Sequence, residues 1–231
     1  MVQAEVEAFG DGCTYVNRED DAGDRGLRTS KLQYGPCKLA TKYHFLPQNE
    51  LLHHVKEIPE LKTERLTLSA LTEADIPAYN ALVLDGERNR WWGYDYREEQ
   101  PHPPEEWFLQ ASEEDYAAGR ELGLAVRLRG RCIGEVVFTH FDGHGTAELG
   151  CRIAAAYAGH GYGTEAFAAA LAWGLKGWDL RRVTAKCFRE NHPSRHMLAA
   201  CMDPTGEDET YFYFEKCIQN ENDMHMDILS E

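Results

Sequence analysis

Glu148-Leu149-Gly150-Cys151-Arg152-Ile153-Ala154-Ala155-Ala156-Tyr157-Ala158-Gly159-His160-Gly161-Tyr162-Gly163 is the stretch on which the fold turns. Ala147, Leu149, Cys151 and Ile153 alternate with Glu148, Gly150 and Arg152, the two-residue period of a half-buried strand. The stretch closes on glycines at 159, 161 and 163, directly before the helical stripe Phe167, Ala170, Leu171 and Gly174. Glycines where a strand gives way to a helix leave backbone amides free to converge on an anion, and a pyrophosphate fits such a turn. A helix terminus contributes only about 0.3–1 kcal/mol toward a nearby negative charge, so several amides must act together. Two other phosphate loops fit poorly. The Gly-Lys-Ser/Thr of a Walker loop is absent, and a Rossmann fingerprint wants a third glycine where Thr164 stands, directly after the first strand of its fold.

Upstream of this stretch, Leu66 and Leu68 share one face of a strand, and Thr72 with Asp75 three residues on marks a helix start. Ile76, Tyr79 and Val83 give that helix its buried stripe, and it is expected to end near Asp85-Gly86. Prolines 101, 103 and 104 open a second helix from Glu105 to about Arg120. Leu122, Leu124, Val126 and Leu128 then alternate, turn at Gly130 and return from Cys132 to Phe138 as a hairpin. A further turn at Asp142–Gly145 joins this pair to the Glu148 strand as an antiparallel meander. Downstream, a helix over about Gly161 to Leu175 and a strand over Leu180 to Phe188 predict a parallel neighbour. A short helix from Asn191 to about Met202 and a last strand at Thr210–Glu215 complete the domain, set at 59–217. Residues 1–58 are read as an extension, with strand-like pieces around Lys31–Tyr34 and Ala40–Phe45, and 218–231 as a polar tail.

The chain has 231 residues, 43% of them hydrophobic, with no apolar run near the roughly 20 residues of a membrane helix. Its formal net charge of -15 argues against nucleic-acid binding, which depends on lysine and arginine at phosphates, and favours cationic partners such as protonated amines. Seven cysteines, odd in number and without a Cys-x-x-Cys pair, read as free thiols in a reducing compartment. The first residues carry acids where an export signal carries bases, so a cytoplasmic location is expected, without a membrane partner. A homodimer is compatible with all of this.

From about Leu61 to Lys216 the chain resembles the acetyl-CoA-dependent N-acetyltransferase (GNAT) superfamily, in the branch of the ribosomal-protein N-terminal acetyltransferases. The resemblance rests on Thr63-Glu64-Arg65-Leu66-Thr67-Leu68, Ala147-Glu148-Leu149-Gly150, Tyr157 through Ala166, and Glu190-Asn191-His192-Pro193-Ser194. It implies an α/β (α+β) fold with a mixed, mostly antiparallel sheet, splayed at the CoA site, and helices on both faces. It also implies acetyl-CoA as acyl donor, with the pyrophosphate on Ala158, Gly159, His160, Gly161, Tyr162, Gly163 and Thr164. The backbone of Cys151, Arg152 and Ile153 would pair with the pantetheine arm, and Asn191 would hold the arm's other side. Ala158 departs from the family's arginine or glutamine, so this turn relies on backbone or on a nearby base.

Acetyl transfer to an amine needs a base, an amide donor and an acid. Glu148 is the candidate base, against the alternative of a surface glutamate paired with Arg152 or another cation. Ser194 matches a serine that the resemblance places near the CoA thiolate, against the alternative of a helix-start serine. Leu198 stands where many members carry a tyrosine acid, which leaves Tyr211 or Tyr213 as substitutes; Tyr213 is the candidate. Trp91, Trp92, Tyr94 and Asp95 occupy the acceptor side in the family, where aromatic faces and an acid suit a cationic amine or peptide N-terminus. His192 and His196 lack a third ligand, so no metal is expected. The acceptor is an amine-bearing small molecule or a peptide N-terminus, and a CoA-binding regulator without catalysis is the alternative of a different class.

Overall fold

Strong alternation builds the first half of the sheet. The computed structural model describes residues 55, 57–93, 103–178 and 180–218; Tyr94, Asp95, the strand-like pieces of the extension and the tail beyond Ile218 lie outside them. β1 (Leu61–Lys62) and β2 (Leu66–Ser69) form a short antiparallel pair, and Leu66 and Leu68 are buried as expected. β3 (Leu122–Leu128) and β4 (Arg131–Thr139) are joined by Arg129 and Gly130, both with left-handed φ, 51° and 80°. Such two-residue turns match the twist of the strands they connect. β5 (Thr146–Ile153) completes the meander, with Gly134 opposite Ile153 and Thr139 opposite Glu148.

Helix α4 (Tyr162–Lys176) carries the chain over to β6 (Arg182–Phe188), which pairs parallel with β5, the only parallel pair among the described residues. After α5 (His192–Cys201) come β7 (Asp203–Glu207) and β8 (Tyr211–Cys217), giving the order β1-β2-β3-β4-β5-β6-β8-β7. The mixed, mostly antiparallel sheet is the expected one.

Helices cover both faces. On one, Phe167, Ala170 and Leu171 of α4 meet Leu124, Phe138, Leu149 and Val183 in the main core. Phe138 is fully buried at its centre, its ring 5.8 Å from Trp173 and 5.4 Å from Trp178 in edge-on contacts. On the other face lie α1 (Ile76–Val83), α2 (Gly86–Asn89) and α3 (Trp107–Ala117), whose Tyr79, Leu82, Val83 and Phe108 form a second cluster. Covered from both sides, β4 is buried without a break from Cys132 to Phe138.

Three elements depart from the expected course. β7 contains Pro204 and Gly206 and is exposed throughout; as an edge strand it tolerates a proline that would break an inner one. The first helix does end near Val83, but Asp85 caps a further short turn, its Oδ1 accepting from the amides of Glu87 (3.0 Å) and Arg88 (3.3 Å). The last strand runs on to Cys217, because β6 offers a partner for every residue from Tyr211. Truncating Phe138 to alanine should cost about 3–5 kcal/mol in urea unfolding, the usual price of an emptied aromatic core position; a cost below 1 kcal/mol would contradict this core.

Candidate active site

β5 and β6 pair only at Thr146–Arg182, Ala147–Val183 and Glu148–Thr184, although β5 continues to Ile153 and β6 to Phe188. Past Glu148 the strands part, and the sheet opens. The glycine turn stands at the end of the opening. Gly159 (φ 79°) and Gly161 (φ 78°) are both left-handed, a conformation only glycine adopts without strain, and Gly161 caps α4. Ala158, Gly159 and His160 are exposed, while Tyr162, Gly163 and Thr164 are half-buried in the first helical turn.

The turn has a brace that sequence reasoning did not assign. Arg65 donates from Nη1 to the His160 carbonyl (3.0 Å) and from Nε to Glu165 Oε2 (2.6 Å), and its guanidinium lies 4.6 Å over the Tyr162 ring. Glu165 also accepts from the Arg65 amide at 2.9 Å. Burial raises the Glu165 carboxyl, but these donors with Thr63 outweigh it and hold the group below its ordinary value. The cation that Ala158 does not supply thus stands beside the turn, inside the Thr63–Leu68 motif.

Beneath the opening is a cavity of about 720 Å³. It brings together six residues of the candidate list from three separate stretches, Trp91 and Trp92, Glu148 and Cys151, and Asn191 and Ser194, together with Tyr211 and Leu198. Asn191 Oδ1 caps α5 by accepting from the Ser194 amide at 3.2 Å. Glu148 takes Lys186, not Arg152, as its partner, at 3.3 Å. Tyr213 is not part of the wall: it is 36% exposed, and its hydroxyl donates to Asp208 at 2.6 Å. That hydrogen bond is the first cause of a raised phenol pKa, which makes Tyr213 a poorer acid.

The Arg152 side chain is committed elsewhere. Its Nε donates to Glu135 Oε1 (2.5 Å), its Nη1 to Asn89 Oδ1 (3.0 Å), and its guanidinium lies 4.5 Å over Trp92. Tyr79 donates to the other Glu135 oxygen at 2.6 Å, and Asn89 reaches the Val83 carbonyl at 2.7 Å. Glu135 and Arg152 are 2% and 6% exposed, so this pair is held by its surrounding hydrogen bonds rather than by water. Trp92 in turn lies so close over β5 that a Cβ on Gly150 would be 3.0 Å from its ring. Only backbone of Arg152 is left for a cofactor. The signal for the network was a glutamate in the middle of the apolar run Cys132–Phe138.

Two groups in the wall have strongly moved acidities. Burial, then the charge of Glu135, pushes the Cys151 thiol up to about 12, so it stays protonated and is no nucleophile at neutral pH. Glu121 is raised to about 6, first by burial and then by Asp115 and Glu135, against Arg120 and Arg152. A carboxyl with a raised folded pKa stabilises the fold through its protonated form, fully below about 4.5, and loses that contribution as pH rises through about 6. Glu121→Gln should therefore raise unfolding free energy by about 1–2 kcal/mol near pH 8 and by nothing measurable near pH 4. An equal effect at both pH values would contradict it.

Comparison with known proteins agrees with this geometry. The family model described as "Acetyltransferase (GNAT) domain" matches residues 65–201. The uncharacterized N-acetyltransferase YnaD of Bacillus subtilis is 37% identical over 92 residues, 39% of this chain, and the match spans about half, 51%, of that relative. The crystal structure of a GNAT-family acetyltransferase from Bacillus anthracis superposes with a TM-score of 0.58 at 23% identity, over 69% of this chain and 98% of that one. RimL, a ribosomal L7/L12 alpha-N-protein acetyltransferase solved with coenzyme A, gives a TM-score of 0.58 at 17% identity, over 69% and 98%. These structural likenesses establish the fold, and the family match covers more than half the chain: it belongs to the GNAT acetyltransferase family.

Proposed function

We propose that this protein transfers the acetyl group of acetyl-CoA to a primary amine, with a peptide or protein N-terminus as acceptor. The observation that carries the reading is the continuity of the glycine turn, the β5–β6 opening and the cavity holding Glu148 and Ser194. Acetyl-CoA supplies an activated acyl thioester. The amides of residues 159–163 hold its pyrophosphate, with Arg65 adding positive charge beside the turn. The backbone of Cys151 to Ile153, unpaired toward β6, takes the pantetheine arm as an added strand, and Asn191 faces it from the start of α5.

Glu148, with Lys186 at 3.3 Å, receives the proton of the attacking amine, directly or through water. The Ser194 hydroxyl lies in the same cavity and serves the departing thiolate. Tyr211, which lines the cavity, is a better placed phenol than Tyr213. With Cys151 protonated, transfer is direct, without an acyl-enzyme. The acceptor reading draws on RimL, whose described activity is on a protein α-amine, and on the cavity wall of Trp91 and Trp92, which gives an acceptor side chain an apolar surface to pack on.

Thiol release from acetyl-CoA with a panel of N-terminal peptides and small amines tests this. Glu148→Gln should lower kcat/KM by about two orders of magnitude and leave CoA affinity within twofold. Tight CoA binding without release to any amine would mean a regulator instead, and an unimpaired Glu148→Gln would remove the base.

A further inference from the structure

We infer that Glu121 recognises a second positive charge on the acceptor, roughly 10 Å from the carboxylate that serves the reacting nitrogen, Glu148. The inference rests on the amine-acetylation reading and names the class of amine.

Placement comes from strand register. Leu122 pairs with Phe138, so Glu121, one step before β3, falls opposite Thr139, and Thr139 pairs with Glu148. Residues opposite one another share a face, so Glu121, Thr139 and Glu148 form a row across three strands, on the face away from Phe138 and Leu149. All three line the cavity. Adjacent strands are about 4.8 Å apart, which puts two spacings between the carboxylates. The Glu148 end borders the β5–β6 opening; the Glu121 end lies beside α3, farthest from it.

Three carboxylates lining the cavity have cationic partners. Glu148 has Lys186 at 3.3 Å, Glu135 has Arg152 at 2.5 Å, and Asp115 has Arg120 at 2.6 Å. The half-buried Glu121 carboxylate makes no hydrogen bond or ion pair among the described residues. Burial of a charge costs stability, and the raised pKa of Glu121, caused first by burial and then by Asp115 and Glu135, records that cost. A structural carboxylate would gain by being glutamine; an acceptor cation would satisfy this one. A lysine side chain next to the acceptor's terminal residue has the reach for both carboxylates, and so has a long α,ω-diamine. Both sources present the same chemistry, an amine with a distant ammonium.

The test is calorimetric binding to the full chain in the presence of CoA, with two matched pairs: the peptide Ser-Lys-Ala against Ser-norleucine-Ala, and diaminooctane against octylamine. In at least one pair the doubly charged ligand should bind roughly tenfold tighter, the size of one half-buried ion pair. Glu121→Gln should bring that pair to within about twofold, while Glu121→Asp, which keeps the charge, should retain most of the preference. Preference in the peptide pair alone assigns a peptide acceptor, and in the diamine pair alone a small polycation. Equal binding within both pairs, or a preference that survives in Glu121→Gln, overturns the inference. Failure of acetyl transfer is read separately: it shows as absence of thiol release while the difference in binding persists.

Discussion

Past Glu148 and Thr184 two parallel strands separate, and backbone amides and carbonyls that a sheet would normally pair face an opening instead. Polar backbone groups need partners, and here a bound chain of suitable length can provide them. The described part of the sheet holds the two strands apart from either side. β4 holds β5 in register along six residue pairs, so β5 keeps its shape without β6, and β8 does the same for β6 along seven. α4 begins directly after the glycine turn, where two left-handed glycines lead the chain from β5 into the helix.

The inner face is polar to an unusual degree for a sheet covered by helices. Its ion pairs fall into two kinds. Glu135 with Arg152 is buried and braced by Tyr79 and Asn89, and it fixes Trp92 over β5, so its role is to shape the wall. Glu148 with Lys186 is partly exposed and open to the cavity. Glu121 belongs to neither kind. Its cost to the fold is the pattern expected where binding, rather than stability, has set a residue.

Much of this was legible in the sequence, for physical reasons. Alternation in Leu122–Leu128 and Ala147–Ile153 and the spacing of Phe167, Ala170 and Leu171 mark the faces turned to the main core, so they predict the meander and α4 directly, although Ala125 and Arg152 on the opposite face are buried too. β7 was hidden because an exposed edge strand needs no apolar pattern, and Pro204 argues against any strand. Motif and element order single out Glu148, Asn191 and Ser194, and all three line the cavity. The partner of Glu148 could not be found this way, since Lys186 is 38 positions away and reaches it only through the parallel pairing. Arg65 and Glu121 carry no local signal of their roles, which arise from what the fold sets beside them: a turn 95 positions on for one, a row across three strands for the other.

The most direct test is a crystal structure with acetyl-CoA bound. The account predicts the pyrophosphate within hydrogen-bonding distance of the amides between Gly159 and Gly163, the pantetheine arm between β5 and β6, and the thioester in the cavity beside Glu148. A cofactor bound elsewhere, or strands that close on one another with the arm outside, would contradict it.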